Sequence, residues 1–185
     1  MQQGKIVYKG KTKKYLEILI RYPEKSDVEL LQKYINTLSR ECSFIRLQGE
    51  QKTLEEEKKY IENMLKKIQN NLALLLLVFN KEKLIAETSL RTLDNVEKHI
   101  GSFGITVANE YRNQGIGKLL IQLALEEEKN KLKHMRIIRL GVFANNPIAK
   151  IMYEKFGFIE YGILPEGIKH KGKYVNHIYM YKKLR

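Results

Sequence analysis

Arg112-Asn113-Gln114-Gly115-Ile116-Gly117-Lys118 is the stretch on which the reading of the whole chain turns. Before it, Phe103, Ile105 and Val107 alternate as in a strand; after it, Ile116, Leu119, Leu120, Leu123 and Ala124 keep the i, i+3, i+4, i+7, i+8 spacing of a helix face. The heptapeptide is therefore a strand-to-helix turn. Its glycines allow positive φ and close approach of a ligand to backbone. The free N–H groups and dipole of a helix N-terminus attract anions. Arg112 and Lys118 add positive charge at the same place, so the turn reads as a phosphate cradle. A P-loop would need Gly at Arg112 and Ser or Thr at Leu119, and a dinucleotide fingerprint would need a third Gly at Leu120; both patterns fail. A tight turn with no ligand would account for the glycines equally well.

Working outward, 13–21 reads as a first strand. Ser26 and Glu29 have capping-box spacing ahead of a helix over 27–40, and Thr53 and Glu56 repeat that spacing ahead of a helix near 54–69. The continuous apolar run Leu72–Phe79 suits a buried central strand, followed by a hairpin turn at 80–83 and a strand near 84–92. Further strands are expected at about 99–108 and 136–143. Asn146 caps a helix that starts at Pro147 and stops at Gly157. Strands near 158–164 and 174–183 end the chain. The predicted order is β-α-α-β-β-β-α-β-α-β-β, an α/β domain with a mixed sheet spanning 1–185 as one unit.

Downstream of the cradle, Asn146-Pro147-Ile148-Ala149-Lys150-Ile151-Met152-Tyr153-Glu154-Lys155-Phe156-Gly157-Phe158 resembles the second signature of the GNAT superfamily of N-acetyltransferases, N-x-x-A-x-x-x-Y-E-K-x-G-F. The R-x-x-G-x-G of the cradle matches that superfamily's phosphate-binding signature, and Ile105-Thr106-Val107 ends the strand before it, as those motifs have it. The resemblance covers roughly 70–185, and its flavour near 161–175 is that of members acting on amino acids, protein N-termini and small amines. It implies a mostly antiparallel central sheet flanked by helices, with acetyl-CoA as co-substrate.

The resemblance also implies residue roles. Backbone groups of Ile105, Thr106 and Val107 would hold the pantetheine arm where two adjacent strands splay apart. Arg112, Asn113, Gln114, Gly115, Ile116, Gly117 and Lys118 would hold the pyrophosphate. Asn146 would meet the pantetheine, and Tyr153 would lie near the thioester sulfur as an acid. Asn146, Ala149 and Tyr153 fall on one helix face, and a small residue at 149 leaves room for a ligand. Asn146 is also a good N-cap whatever the function, and Tyr153 would also serve as a core tyrosine. An amine must be neutral to attack the thioester, so a base or a water relay is required. Ribosomal-protein alanine acetyltransferases keep a glutamate five residues before the capping Asn; Gly141 stands there in this chain. Glu87 is the best remaining acidic candidate, with His99, His177 and Glu160 as competitors. The segment 165–173 is expected to be a loop bordering the acceptor.

The function implied is acetyl transfer to a primary amine on a small molecule, peptide or protein N-terminus, by direct attack in a ternary complex. The alternative is an inert acyl-CoA-binding sensor module. Composition agrees with a folded chain: 185 residues, 43% hydrophobic and 30% charged. Cys42 is the only cysteine, so neither an intrachain disulfide nor a cysteine-built metal cluster can form, and the four histidines lack ligand spacing; no metal is called for. No apolar run is long enough to span a bilayer and the N-terminus has no apolar signal core, so a cytoplasmic protein without membrane contact is expected. The net charge of +13 is read first as a Lys-rich solvated surface, then as attraction for an anionic cofactor. Nucleic acid is the disfavoured partner, because no helix-turn-helix, RNP or zinc motif is present. A homodimer is left open.

Overall fold

The computed structural model describes residues 2–184. Its strands are β1 (Ile6–Lys11), β2 (Glu17–Arg21), β3 (Ala73–Asn80), β4 (Lys83–Thr92), β5 (Ile100–Val107), β6 (Ile137–Phe143), β7 (Ile159–His170) and β8 (Lys173–Lys183). The helices are α1 (Val28–Arg40), α2 (Leu54–Gln69), α3 (Ile116–Lys131) and α4 (Pro147–Lys155). All eight strands join one sheet in the order β1-β2-β3-β4-β5-β6-β8-β7. Every neighbouring pair is antiparallel except β5 with β6. The predicted α/β class and its element order hold, with one strand added in front.

That added strand corrects the reading of 13–21. Residues 12–16 form the turn of a β1–β2 hairpin, and only Glu17–Arg21 continue as strand. β1 has no buried residue, so it carries no apolar alternation to betray it. The first helix cap is also displaced. The Asp27 carboxylate, not that of Glu29, reaches back to accept the Glu24 N–H at 2.7 Å, while accepting from the Arg21 guanidinium at 2.8 and 2.7 Å. That buried, bidentate pair draws Asp27 into a single 3-10 turn before α1. The second cap forms as expected: Thr53 Oγ1 accepts the Glu56 N–H at 3.2 Å, and Glu56 accepts the Thr53 N–H at 2.9 Å.

The core is centred on β3, where Leu74, Leu75, Leu76, Leu77 and Val78 are each at most 1% exposed. Helices cover both faces there, which is why the strand reads as a continuous apolar run instead of an alternating one. Tyr34 of α1 bonds Thr106 across one face of β5. α3 lies on the other face, which Phe103 shares with Tyr153 of α4, their ring centroids 6.4 Å apart. No helix among the described residues is long and apolar enough to cross a membrane.

The segment 165–173 is not a loop. β7 runs through to His170 with a bulge between Leu164 and Ile168, and Lys171 and Gly172 (φ 50° and 78°) make a two-residue turn into β8. Positive φ at both turn residues matches the right-handed twist of the flanking strands.

Candidate active site

The cleft is created by a failure of strand pairing. β5 and β6 pair in parallel only at Ile100–Ile137, Gly101–Ile138 and Ser102–Arg139, and beyond these residues the strands part. The Ala108 N–H donates to the Ile85 carbonyl at 2.9 Å, so by strand alternation the backbone groups of Ile105 and the N–H of Val107 point into the gap, while the Val107 carbonyl accepts from Arg112. Unpaired backbone at the centre of a sheet is a ready partner for an amide-bearing ligand. The opening holds about 870 Å³ and passes from one face of the sheet to the other. Glu87 pairs with Thr106 and Ser89 with Gly104, which places all four on the α1–α2 face. Ile105, Val107, Asn146 and Tyr153 line the α3–α4 side.

At the mouth on that side lies the 112–118 turn. Gly115 is the N-cap of α3 with φ 86°, a left-handed conformation that a side chain would strain. The first intrahelical bond runs from the Leu119 N–H to the Gly115 carbonyl at 3.1 Å. The N–H groups of Ile116, Gly117 and Lys118 therefore precede the ladder and have no intrahelical partner. Gly117 also faces α4: a Cβ there would come within 3.2 Å of the Met152 sulfur. Lys118 is exposed, borders the cleft and makes no ion pair among the described residues.

Two cradle residues differ in what their side chains do. Arg112 folds back: Nε donates to the Val107 carbonyl at 3.0 Å, one amino group donates to the Asn109 side-chain oxygen Oδ1 at 3.3 Å, and another pairs with Glu41 at 3.5 Å. It braces the end of β5 as well as bordering the cleft. The Gln114 side chain turns away from the cleft to accept from Thr12 Oγ1 at 3.2 Å. Asn113, at φ 60°, borders the opening.

On α4, Asn146 accepts the Ala149 N–H at 3.2 Å as the N-cap, and its side chain also borders the cleft; the cap and ligand readings coexist. The helix ends in a Schellman closure, with Phe158 N–H to Tyr153 carbonyl at 3.1 Å and Gly157 N–H to Glu154 carbonyl at 2.9 Å. Gly157 has φ 79°, which that closure needs. It holds Tyr153 against Phe103 and Phe158 with its ring 7% exposed. Burial pushes the Tyr153 hydroxyl up to about 12, so it is a proton donor at neutral pH.

Glu87 is the only carboxylate bordering the opening among the described residues. Desolvation first, then the charge of Glu57 on α2, push its carboxyl up to about 7, against the opposing pull of Arg91. Glu57 is itself 6% exposed and shifted upward, chiefly by burial. Two of the competing candidates, His99 and Glu160, are placed away from the opening, and the third, His177, lies against Gly141 at its border. His99 lies beside Arg136 and Lys183 in a separate depression, and Glu160 pairs with Lys150 at 3.2 Å on the surface. His177 stands over Gly141, where any Cβ would overlap its ring. That overlap is the local reason position 141 holds no side chain. Burial and nearby Arg46 shift His177 downward.

Residues that sequence reasoning missed also line the opening. Ser43, Phe44 and Ile45 come from the connection between α1 and α2, which carries no recognisable motif. Phe44 is anchored by Phe143 and by His170, 5.8 and 4.8 Å away between centroids. Lys13 from the β1–β2 turn and Lys155 from α4 join Arg112 and Lys118 as cations at the cleft, which makes its field strongly attractive to phosphates. These residues fit CoA: a cationic mouth with free helix N–H groups for phosphates, then an open strand edge for the amides of an extended arm.

The fold and site together define an α/β domain whose central sheet is split, with a cationic helix N-terminus at one mouth of the split. The chain belongs to the acetyltransferase (GNAT) family, whose family model matches residues 33–158. It is 34% identical over 82 residues to the L-amino acid N-acetyltransferase AaaT of Escherichia coli (strain K12), a match covering 44% of this chain and 50% of that protein. The match thus spans about half the length of that curated relative. Its fold matches the crystal structure of a GNAT-family acetyltransferase from Streptococcus pneumoniae with a TM-score of 0.82 and 27% identity, over 91% of this chain and 100% of the other. It also matches spermidine N-acetyltransferase from Vibrio cholerae, solved in complex with CoA and spermine, with a TM-score of 0.69 and 25% identity over 90% and 95% of the two chains.

Proposed function

We propose that this protein transfers the acetyl group of acetyl-CoA to a primary amine by direct attack within a ternary complex. The observation that carries the reading is the split between β5 and β6, with a phosphate cradle at one mouth and a carboxylate of raised pKa at the other. The 112–118 turn and Lys118 hold the pyrophosphate. The inward-facing backbone of Ile105 and Val107 bonds the pantetheine amides, and Asn146 contributes from α4. The thioester carbonyl then lies in the gap, where a backbone N–H near Val107 polarises it as charge grows on oxygen.

The amine enters from the α1–α2 face. Glu87 takes its proton, directly or through water, and the neutral nitrogen attacks the carbonyl carbon. The tetrahedral intermediate collapses by breaking the C–S bond, and the Tyr153 hydroxyl meets the departing sulfur from the opposite face of the sheet. No covalent bond to the protein is formed. The test is a panel of acceptors incubated with acetyl-CoA while free CoA thiol is followed. L-Amino acids and spermidine are the first members, after what the relatives are named for, with peptide N-termini as the third class. CoA binding without turnover on any amine would favour the inert sensor instead.

Two further results are expected. Lys118→Ala should raise the KM for acetyl-CoA roughly three- to tenfold with kcat little changed, because a phosphate contact is shared by ground and transition states. Arg112→Ala should raise the same KM and also lower the melting temperature, since it braces Val107 and pairs with Glu41. An effect of Lys118→Ala confined to kcat would move this residue out of the cofactor site.

The base assignment predicts a pH dependence. Glu87 is active when ionised, so kcat/KM for the acceptor should rise with pH through about 7. Glu57 raises that value because its charge disfavours a second one nearby. Glu57→Gln removes the repulsion, so Glu87 ionises more readily and the ascending limb moves to lower pH. A merely structural role for Glu57 would change the height of the profile and leave the limb where it is. Initial rates across pH 5–9 at saturating acetyl-CoA measure the difference.

A further inference from the structure

The β1–β2 hairpin reaches the cofactor mouth from the far edge of the sheet, although β3 and β4 lie between it and β5. Its turn is tightly made. The Thr12 N–H donates to the Leu16 carbonyl at 2.9 Å, the Leu16 N–H returns to Thr12 Oγ1 at 3.2 Å, and the Tyr15 N–H donates to the Thr12 carbonyl at 3.0 Å. The turn is then fastened to the cradle at two points. Thr12 Oγ1 donates to the Gln114 side-chain oxygen at 3.2 Å, and the Lys13 N–H donates to the Gln114 carbonyl at 3.4 Å. These contacts join residues about a hundred positions apart, and they explain why Gln114 turns away from the cleft.

The consequence is a fixed place for Lys13. Its side chain runs beside Gly115, so that a Cβ on that glycine would sit 3.5 Å from Lys13 Cγ, 3.6 Å from Cδ and 3.8 Å from Cε. The aliphatic stem thus packs along the glycine that caps α3, and the residue borders the opening. The side chain is exposed and makes no ion pair among the described residues. A cation laid beside free helix N–H groups, with no ion-pair partner among the described residues, is suited to a phosphate oxygen.

We infer that Lys13 is a phosphate ligand of the bound coenzyme, delivered by the N-terminal hairpin and held in place by the Thr12–Gln114 bond. The inference rests on the cofactor reading above and extends it to a residue outside both motifs. The pyrophosphate and the 3′-phosphate of CoA offer the same chemistry, and the ligand chosen for the assay separates them.

Calorimetric titration of the full chain with CoA and with dephospho-CoA is the test, for wild type, Lys13→Ala, Lys13→Arg and Thr12→Val. Lys13→Ala should weaken CoA roughly three- to tenfold, as expected for one exposed charge-assisted contact, with the melting temperature unchanged. Lys13→Arg should restore most of the affinity. Thr12→Val, which frees the turn but keeps the lysine, should weaken binding by a smaller factor. If dephospho-CoA suffers the same loss with Lys13→Ala, the contact is to the pyrophosphate; if it suffers none, the contact is to the 3′-phosphate. Wild-type affinity for both ligands in Lys13→Ala would overturn this inference and leave the cofactor reading standing. Failure of the wild type to bind CoA at all would overturn both.

Discussion

Gly117→Glu should abolish measurable acetyl-CoA binding, a loss of more than roughly a hundredfold, while the protein remains folded. Gly117 is the second residue of α3, and its N–H is one of those left without an intrahelical partner. A glutamate there brings a carboxylate to the spot where the helix N-terminus is to meet a diphosphate. Like charges at contact distance in a partly desolvated cleft repel by several kcal/mol. The fold should tolerate the change, because Gly117 does not have the left-handed φ of Gly115. A Cβ there meets only Met152, a flexible side chain, at 3.2 Å. Gly117→Ala is the matched control: it adds the same Cβ without charge and should lose far less. Calorimetry with acetyl-CoA, alongside a thermal melt, reads both quantities. Unaltered affinity in Gly117→Glu would place the cofactor elsewhere on the protein.

The second large effect is expected at Tyr153. Tyr153→Phe should lower kcat roughly ten- to a hundredfold, toward the low end of what general acids contribute. The reason for the low end is the hydroxyl's own acidity. Its pKa is raised to about 12, whereas a thiol ionises near about 8.5, so complete transfer to a free thiolate runs uphill. The hydroxyl therefore acts mostly as a hydrogen-bond donor to sulfur while charge develops, and protonation is completed as the product leaves. Phe keeps the ring contacts with Phe103 and Phe158, so the melting temperature and acetyl-CoA affinity should move little. Rapid-quench measurement of the acetyl-transfer step isolates the chemistry from product release. A wild-type rate for that step would reduce Tyr153 to a packing residue and leave the cradle untouched.

What could be read in the chain alone was local. The 3.6-residue periodicity of 116–124, the Thr53–Glu56 cap, the Pro147 start and the Gly157 stop each depend on residues within one or two turns of one another, and all appear in the structure. The strand-to-helix turn proposed as the phosphate cradle was equally legible, because a helix N-terminus, two glycines and two cations are contiguous. Failures occurred where the deciding partner is far away in sequence. The Ser26–Glu29 cap lost to a bond between Asp27 and Arg21, which belongs to the preceding strand. β1 was missed because an exposed edge strand has no buried face to pattern. Lys13 became a cofactor candidate only through Gln114, and Glu87 acquired its raised pKa first through burial in the folded chain and then through the charge of Glu57 on α2.

The sequence by itself thus determined the class of fold and the turn on which the proposed anion site rests, since turns, caps and periodicity are short-range properties of the backbone and its neighbours. The tertiary structure alone decided the split of β5 from β6, the placing of Glu87 and Tyr153 on opposite faces of that split, and the assembly of cations around its mouth. Pairing register and burial are set by elements tens of residues apart, and pKa shifts depend on what those elements bring within a few ångströms.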